Sequence, residues 1–188
     1  QPNLTDASDT GSSNTDDRTK ITTPTFTGTT EANAIVKLYR NGATLVGTIT
    51  ADSGGNYVVV SSALTEGANS MTVTATDVAG NTSSSSSILT VTLDTVLPSA
   101  PGQPNLTDAS DTGSSNADNI TNDNTPTFSG TVEANAIVNL YVDGATFAGT
   151  ATADGAGAYS VTASTVSDGP SRSFTVTQTD VAGNVSPV

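Results

Sequence analysis

The string "SDTGSSN" occupies residues 8–14 and returns unchanged at residues 110–116. Two D-T-G loops are what aspartic proteolysis uses: each presents a carboxylate, and the two acids lie side by side and share one proton. That chemistry needs an apolar strand running into each aspartate, to hold it in a dry cleft. Here "LTDAS" precedes both Asp9 and Asp111, and no apolar run follows either. The copies also lie a whole domain apart, tens of ångströms along a stack of strands that rise about 3.3 Å per residue. The sequence therefore predicts no acid pair. It leaves a loop with two carboxylates to explain, repeated once.

Composition narrows the chemistry further. The chain has 188 residues, 18 acidic and 5 basic side chains, and a formal charge of −13. Such a surface repels nucleic acid and anionic lipid and favours cations, so neither nucleic acid nor membrane insertion is expected. There is no Cys, His or Trp. Thiol and imidazole chemistry, zinc sites and disulfides are thereby excluded, and no nucleophile–base pair is evident, so the chain reads as a non-enzyme with no small-molecule substrate. No apolar run approaches membrane-spanning length. The sequence opens at Gln1 without a basic and apolar leader and reads as an excerpt of a larger protein. Val and Thr are plentiful and Leu scarce, a β composition.

Sliding the chain along itself exposes its organisation. "QPNLTDASDTGSSN" starts at Gln1 and at Gln103, "TPTFTGTTEANAIVKLYRNGATLVGT" from Thr23 matches "TPTFSGTVEANAIVNLYVDGATFAGT" from Thr125, and "TDVAGN" stands at 76–81 and 179–184. A period near one hundred residues suits an independent domain rather than a solenoid unit. The reading is one domain over 1–98, a linker over 99–104 within the Pro-containing "LDTVLPSAPG", and a second domain over 105–188.

Within the first copy, a short strand near Ile21 is followed by "TPTFTGTT", "AIVKLYR", "ATLVGTITA", "NYVVVSSAL", "SMTVTATD" and "SSILTVTLD", with Asn41-Gly42 as a hairpin turn. Met71, Val73 and Ala75 are expected inward and Thr72, Thr74 and Thr76 outward. About seven strands per copy make an all-β chain of two tandem immunoglobulin-like β-sandwiches joined end to end. Phe26, Leu38 and Tyr57, with Phe128, Leu140 and Tyr159 in the second copy, are read as core. By alignment the second copy lacks the strand that Ser86–Asp94 supplies in the first, which would leave a sheet edge open to pairing.

In that strand order the turns after "TTE", "TAD" and "TATD" fall at the pole where the chain enters each domain, together with the entering loop. Carboxylates about 4 Å apart repel by roughly 1 kcal/mol in water, and more when partly buried. A single surface Asp is simply solvated, but loops converging from distant parts of the chain suit a divalent cation. Ca²⁺ takes six to eight oxygens from flexible loops, whereas Mg²⁺ demands a tighter octahedron. Asp94, Asp111, Asp118 and Asp180 are the expected ligands at the junction, with Asp108 and Asn184 assisting. Asp9, Asp16 and Asp77 form the expected equivalent at the free end of the first domain.

"DTGSSNADNITNDNTPTFSGTVEANAIVNLY", "TADGAGAYSVT", "TDVAGN" and "LDTVLPSAPG" together resemble the bacterial immunoglobulin-like repeats in the extender region of large RTX adhesins of biofilm formers. The resemblance spans essentially the whole chain. It implies type I export, outer-membrane anchoring at the bacterial cell surface, and an array of neighbouring repeats, stiffened by Ca²⁺ at the linkers, that projects a terminal adhesive domain. Carried over by position, the linker ligands are Asp94, Asp111, Asp118 and Asp180. One departure is "TDDRTKITT" in the first copy, where the second has "ADNITNDNT"; Arg18 and Lys20 could weaken a site near Asp17. The competing function is a carbohydrate-binding or homophilic adhesion module. It is disfavoured because few aromatics are free to stack on sugars and the outward strand faces are Thr and Ser.

Overall fold

The computed structural model describes residues 1–169 and 171–188. The chain divides into two units, Gln1–Thr95 and Val96–Val188. The stretch read as a linker is attached to the second unit, where the Gln178 side-chain amide donates to the Ser99 carbonyl at 2.9 Å.

Unit 1 is built from β1 (Asn3–Leu4), β2 (Arg18–Thr19), β3 (Thr25–Thr29), β4 (Ile35–Arg40), β5 (Thr44–Thr50), β6 (Asn56–Val60), β7 (Gly67–Thr76) and β8 (Leu89–Leu93). One sheet runs β1-β3-β6 and the other β2-β8-β7-β4-β5. Alternation explains which faces meet. Val36 and Leu38 on β4, Tyr57 and Val59 on β6, and Leu89, Val91 and Leu93 on β8 all turn into one core around Phe26. The Asn41-Gly42 turn forms as expected, both residues having positive φ (50° and 80°). Gly28 on β3 is needed for close approach, since a Cβ there would stand 2.2 Å from the Tyr57 hydroxyl oxygen.

Two features differ from the sequence reading. The early strand lies at Arg18–Thr19 rather than near Ile21, and it pairs in parallel with β8 (Arg18↔Thr92, Thr19↔Leu93). Apolar alternation carries no trace of that pairing, because both strands are short and lie more than seventy residues apart in the sequence. On β7, Thr72 is buried along with Met71, so the expected split between inward and outward residues is not kept along its whole length.

Unit 2 repeats the plan with β9 (Asn105–Leu106), β10 (Thr127–Thr131), β11 (Ile137–Val142), β12 (Thr146–Thr152), β13 (Ala158–Thr162) and β14 (Phe174–Thr179). Its sheets are β13-β10-β9 and β12-β11-β14. Phe128, Leu140 and Tyr159 are buried like their counterparts. Gly130 meets the Tyr159 hydroxyl oxygen as Gly28 meets that of Tyr57, at 2.6 Å from an added Cβ. Counterparts of β2 and β8 are missing among the described residues, and β14 has six residues where β7 has ten.

Candidate metal-binding loops

The loop leading into each sandwich is wound by its own backbone. The Thr5 carbonyl accepts the N–H groups of Ser8 (2.8 Å) and Asp9 (2.9 Å), and the Ser8 hydroxyl accepts the Thr25 N–H at 2.9 Å, pinning the loop to β3. Asp9 is thereby drawn inside, with 6% of its surface exposed. One carboxylate oxygen, Oδ2, accepts the Asp17 N–H at 3.2 Å. The other, Oδ1, is buried with no hydrogen-bond partner. Burial pushes the Asp9 carboxyl above its ordinary range; the Asp17 N–H opposes this, while the nearby Asp16 and Asp17 carboxylates reinforce it.

Unit 2 builds the same loop. The Thr107 carbonyl accepts from Ser110 and Asp111 (both 2.8 Å), and the Ser110 hydroxyl accepts the Thr127 N–H at 2.9 Å. Asp111, 5% exposed, takes the Asn119 N–H on Oδ2 at 3.1 Å and leaves Oδ1 buried and unpartnered. An unpaired buried polar atom costs about 1–3 kcal/mol, more when charged. The same atom is left without a partner in both copies. Asp16 and Asp118 lie at the solvent edge of these loops, each accepting one N–H two residues ahead, Arg18 at 3.2 Å and Ile120 at 3.1 Å.

The "TDVAGN" aspartates behave differently. Asp77 Oδ1 accepts the N–H groups of Ala79 (2.9 Å) and Asn81 (2.8 Å), and Oδ2 accepts the Asn81 side-chain amide at 2.8 Å. Asp180 is held identically by Ala182, Asn184 and the Asn184 amide. These donors, the Asn81 side chain foremost, hold the Asp77 carboxyl below its ordinary range. Asp77, Asp180 and Asn184 thus serve first to close a turn. Asp52 does the same through Gly54 and Asn56, and the three turns share the spacing D-x-x-G-N at 52–56, 77–81 and 180–184.

Asp94 follows β8, its N–H donating to Thr19 at 2.9 Å, and Asp108 is exposed. Among the described residues of either unit, no three carboxylates gather into one group that could hold a metal. An ion at Asp9 or Asp111 would need backbone carbonyls or water for its other oxygens, as calcium loops commonly provide. The donor set fits calcium: oxygen only, with one buried carboxylate oxygen left unmatched and a second carboxylate close by.

Sandwiches of this plan, antiparallel except for the β2–β8 pair and each with a wound acidic loop feeding its first sheet, are immunoglobulin-like domains. The particular family is that of the bacterial Ig-like domain, which matches residues 1–95 and again 98–188; the chain belongs to it, twice over. Curated protein sequences give no match. Similar solved structures include the BSP domain of a biofilm-associated protein (18% identity, TM-score 0.34, covering 90% of this chain and 27% of that one). Another is a Ca²⁺-stabilized adhesin of an Antarctic bacterium that binds ice (24%, 0.40, 87% and 41%). A third is a 1.5-MDa bacterial ice-binding adhesin (21%, 0.40, 98% and 60%). The chain spans less than two thirds of each of these.

Proposed function

We propose that the chain is a pair of structural spacer repeats from a bacterial cell-surface adhesin, and that Ca²⁺ held by the Asp9 and Asp111 loops stiffens them. The observation that carries this reading is the orphaned, buried Oδ1 of Asp9 and of Asp111, at the same place in two copies of one fold. A bound divalent ion supplies the positive charge that these oxygens lack. Asp16 and Asp118 are the nearest further ligands, and Asp94, Asp108 and the turn-closing Asp77, Asp180 and Asn184 complete the set that the sequence suggests. A repeat of domain size suits spacing, because each added copy contributes length at the same stability. The chain then works outside the cell, with neighbouring repeats of the same polypeptide as its partners and no catalytic role.

Calorimetric titration of the metal-free 188-residue chain with Ca²⁺ tests the reading. Saturable uptake is expected, with Mg²⁺ weaker. D9N and D111N should each weaken one site by at least tenfold, about 1.4 kcal/mol. Small-angle scattering should show a stiffer particle with Ca²⁺ than with EDTA. Absence of uptake, or scattering curves that superimpose, would rule the mechanism out.

A further inference from the structure

The segment that opens unit 2 is governed by its prolines. Pro98, Pro101 and Pro104 recur at every third residue. Each ring fixes its own φ at about −65° and confines the residue before it, here Leu97, Ala100 and Gln103, to extended backbone. Of residues 97–104, only Ser99 and Gly102 escape both restrictions. These two are the joints of the segment. Its far end is fixed, because Pro104 is buried and Asn105–Leu106 is β9, paired with β10.

Ser99 is held by a side chain that comes from the sheet. Gln178 lies on β14 directly opposite Val138, a core residue, so its side chain points to the same inner face; it is 2% exposed. Both ends of its amide are used. Oε1 accepts the Glu133 N–H at 2.8 Å, and Nε2 donates to the Ser99 carbonyl at 2.9 Å. The backbone of Gln178 is fixed as well, its N–H donating to the Ser186 hydroxyl at 3.0 Å and its carbonyl accepting the Ser186 N–H at 2.9 Å. Rotating the amide by half a turn would set oxygen against oxygen at Ser99 and N–H against N–H at Glu133. The donor is therefore aimed before the segment reaches it.

The two repeats isolate this residue. Thr72–Asn81 reads TVTATDVAGN and Thr175–Asn184 reads TVTQTDVAGN, so within these ten positions the copies differ at one place alone. In unit 1 the residue opposite Val36 is Ala75, which carries no donor on its side chain. The exchange replaces a methyl by an amide that spans two backbone groups, Glu133 N–H and Ser99 C=O. A proline-fixed extended segment makes no hydrogen bonds of its own, so its carbonyls are open to such a donor.

We propose that Gln178 is a latch that makes residues 97–104 a stiff arm of unit 2. The prolines remove torsional freedom from six positions, and the latch removes it from Ser99, the joint farther from β9. Gly102 is the joint that remains, and it stands two residues from the buried Pro104. Gln178 is a positioning residue, and its hold on the arm does not depend on calcium. The use of such an arm rests on the spacer reading above, in which it is a second source of stiffness beside the ion.

The test is amide relaxation by NMR on the 188-residue chain, Q178A and Q178M, all in EDTA, so that failure of the calcium reading leaves it untouched. The order parameters at Ser99 and Ala100 should stand near the rigid-backbone value of about 0.85 in the parent chain and fall below about 0.6 in both variants, while β10 to β13 keep theirs. Q178M keeps the bulk of the side chain and has no donor, and it carries the comparison where Q178A does not fold. A second readout uses spin labels on A100C and S160C, the only thiols in a chain without cysteine. Their distance distribution should be narrow in the parent and at least twice as wide in either variant. An arm already disordered in the parent, or equally ordered in all three chains, overturns the proposal. So does loosening by Q178A with Q178M unchanged, since packing and not the hydrogen bond would then hold the arm.

Discussion

Residues 18–19 and 120–121 are equivalent positions of the two repeats, yet in unit 1 they are strand and in unit 2 they are not. The same is true where Ala68–Ser70 lie in β7 and residues 171–173 precede β14. The other halves of the two sandwiches share one pairing register. Thr25–Thr29 pairs with β6 as Thr127–Thr131 pairs with β13, and β4 pairs with β5 as β11 with β12, each with a register shift at the same place. The lesson is that β2 and the start of β7 have little strand character of their own. They are strands because β8 lies between them and supplies both hydrogen bonds and a buried face.

The largest effect should come from making unit 1 resemble unit 2. Val91 is fully buried on β8, and V91D forces a carboxylate into that core at a cost of about 4 kcal/mol or more. Hydrogen exchange should then rise at Arg18–Thr19 and Gly67–Ser70 while Thr25–Thr29 keeps its protection. Equal loss across all eight strands would show the sandwich to be one unit and would break the comparison.

A smaller and equal effect is expected in the half the units share. G28A and G130A each drive a methyl into a buried tyrosine hydroxyl and should cost about 1–3 kcal/mol. Y57F and Y159F should each restore part of it. Y159F alone should be neutral or slightly stabilising, because the Tyr159 hydroxyl is buried without a partner. Denaturant midpoints of the four single and two double variants check this.

The smallest effects lie in acid. Asp52 and Asp77 in unit 1 are held below their ordinary value of 3.8 by turn N–H and Asn donors. In unit 2 the N–H of Thr125 lowers Asp123, and Arg172, 2.6 Å away, lowers Asp143. A carboxyl with a lowered folded pKa contributes stability that is whole above 3.8 and lost as the pH falls through the folded value. Both units should therefore weaken modestly between about pH 4 and 2, and D52N or D143N should flatten that slope only in its own unit. An acid titration followed by thermal unfolding reads this.

Much of the fold was legible because it is local. Alternation in "AIVKLYR" and "NYVVV", the Asn41-Gly42 turn and the aromatic core positions each follow from neighbours a few residues away. The candidate site was half legible. Loops converging on one pole pointed to Asp9, Asp16 and Asp77 and to Asp94, Asp111, Asp118 and Asp180 alike, but could not separate Asp9, with an oxygen stranded in the interior, from Asp77, whose oxygens accept three donors of its own turn.

The order of residues alone dictated two domains, their β composition, their turns, the negative charge and the absence of thiol or imidazole chemistry, since each depends on identity and short-range spacing. Only the tertiary structure decided that Arg18–Thr19 would run parallel to a strand some seventy positions later, and that one oxygen in each acidic loop would be buried without a donor. Both depend on which backbone groups meet after the sheets close. That is a property of packing between distant segments, and no local pattern encodes it.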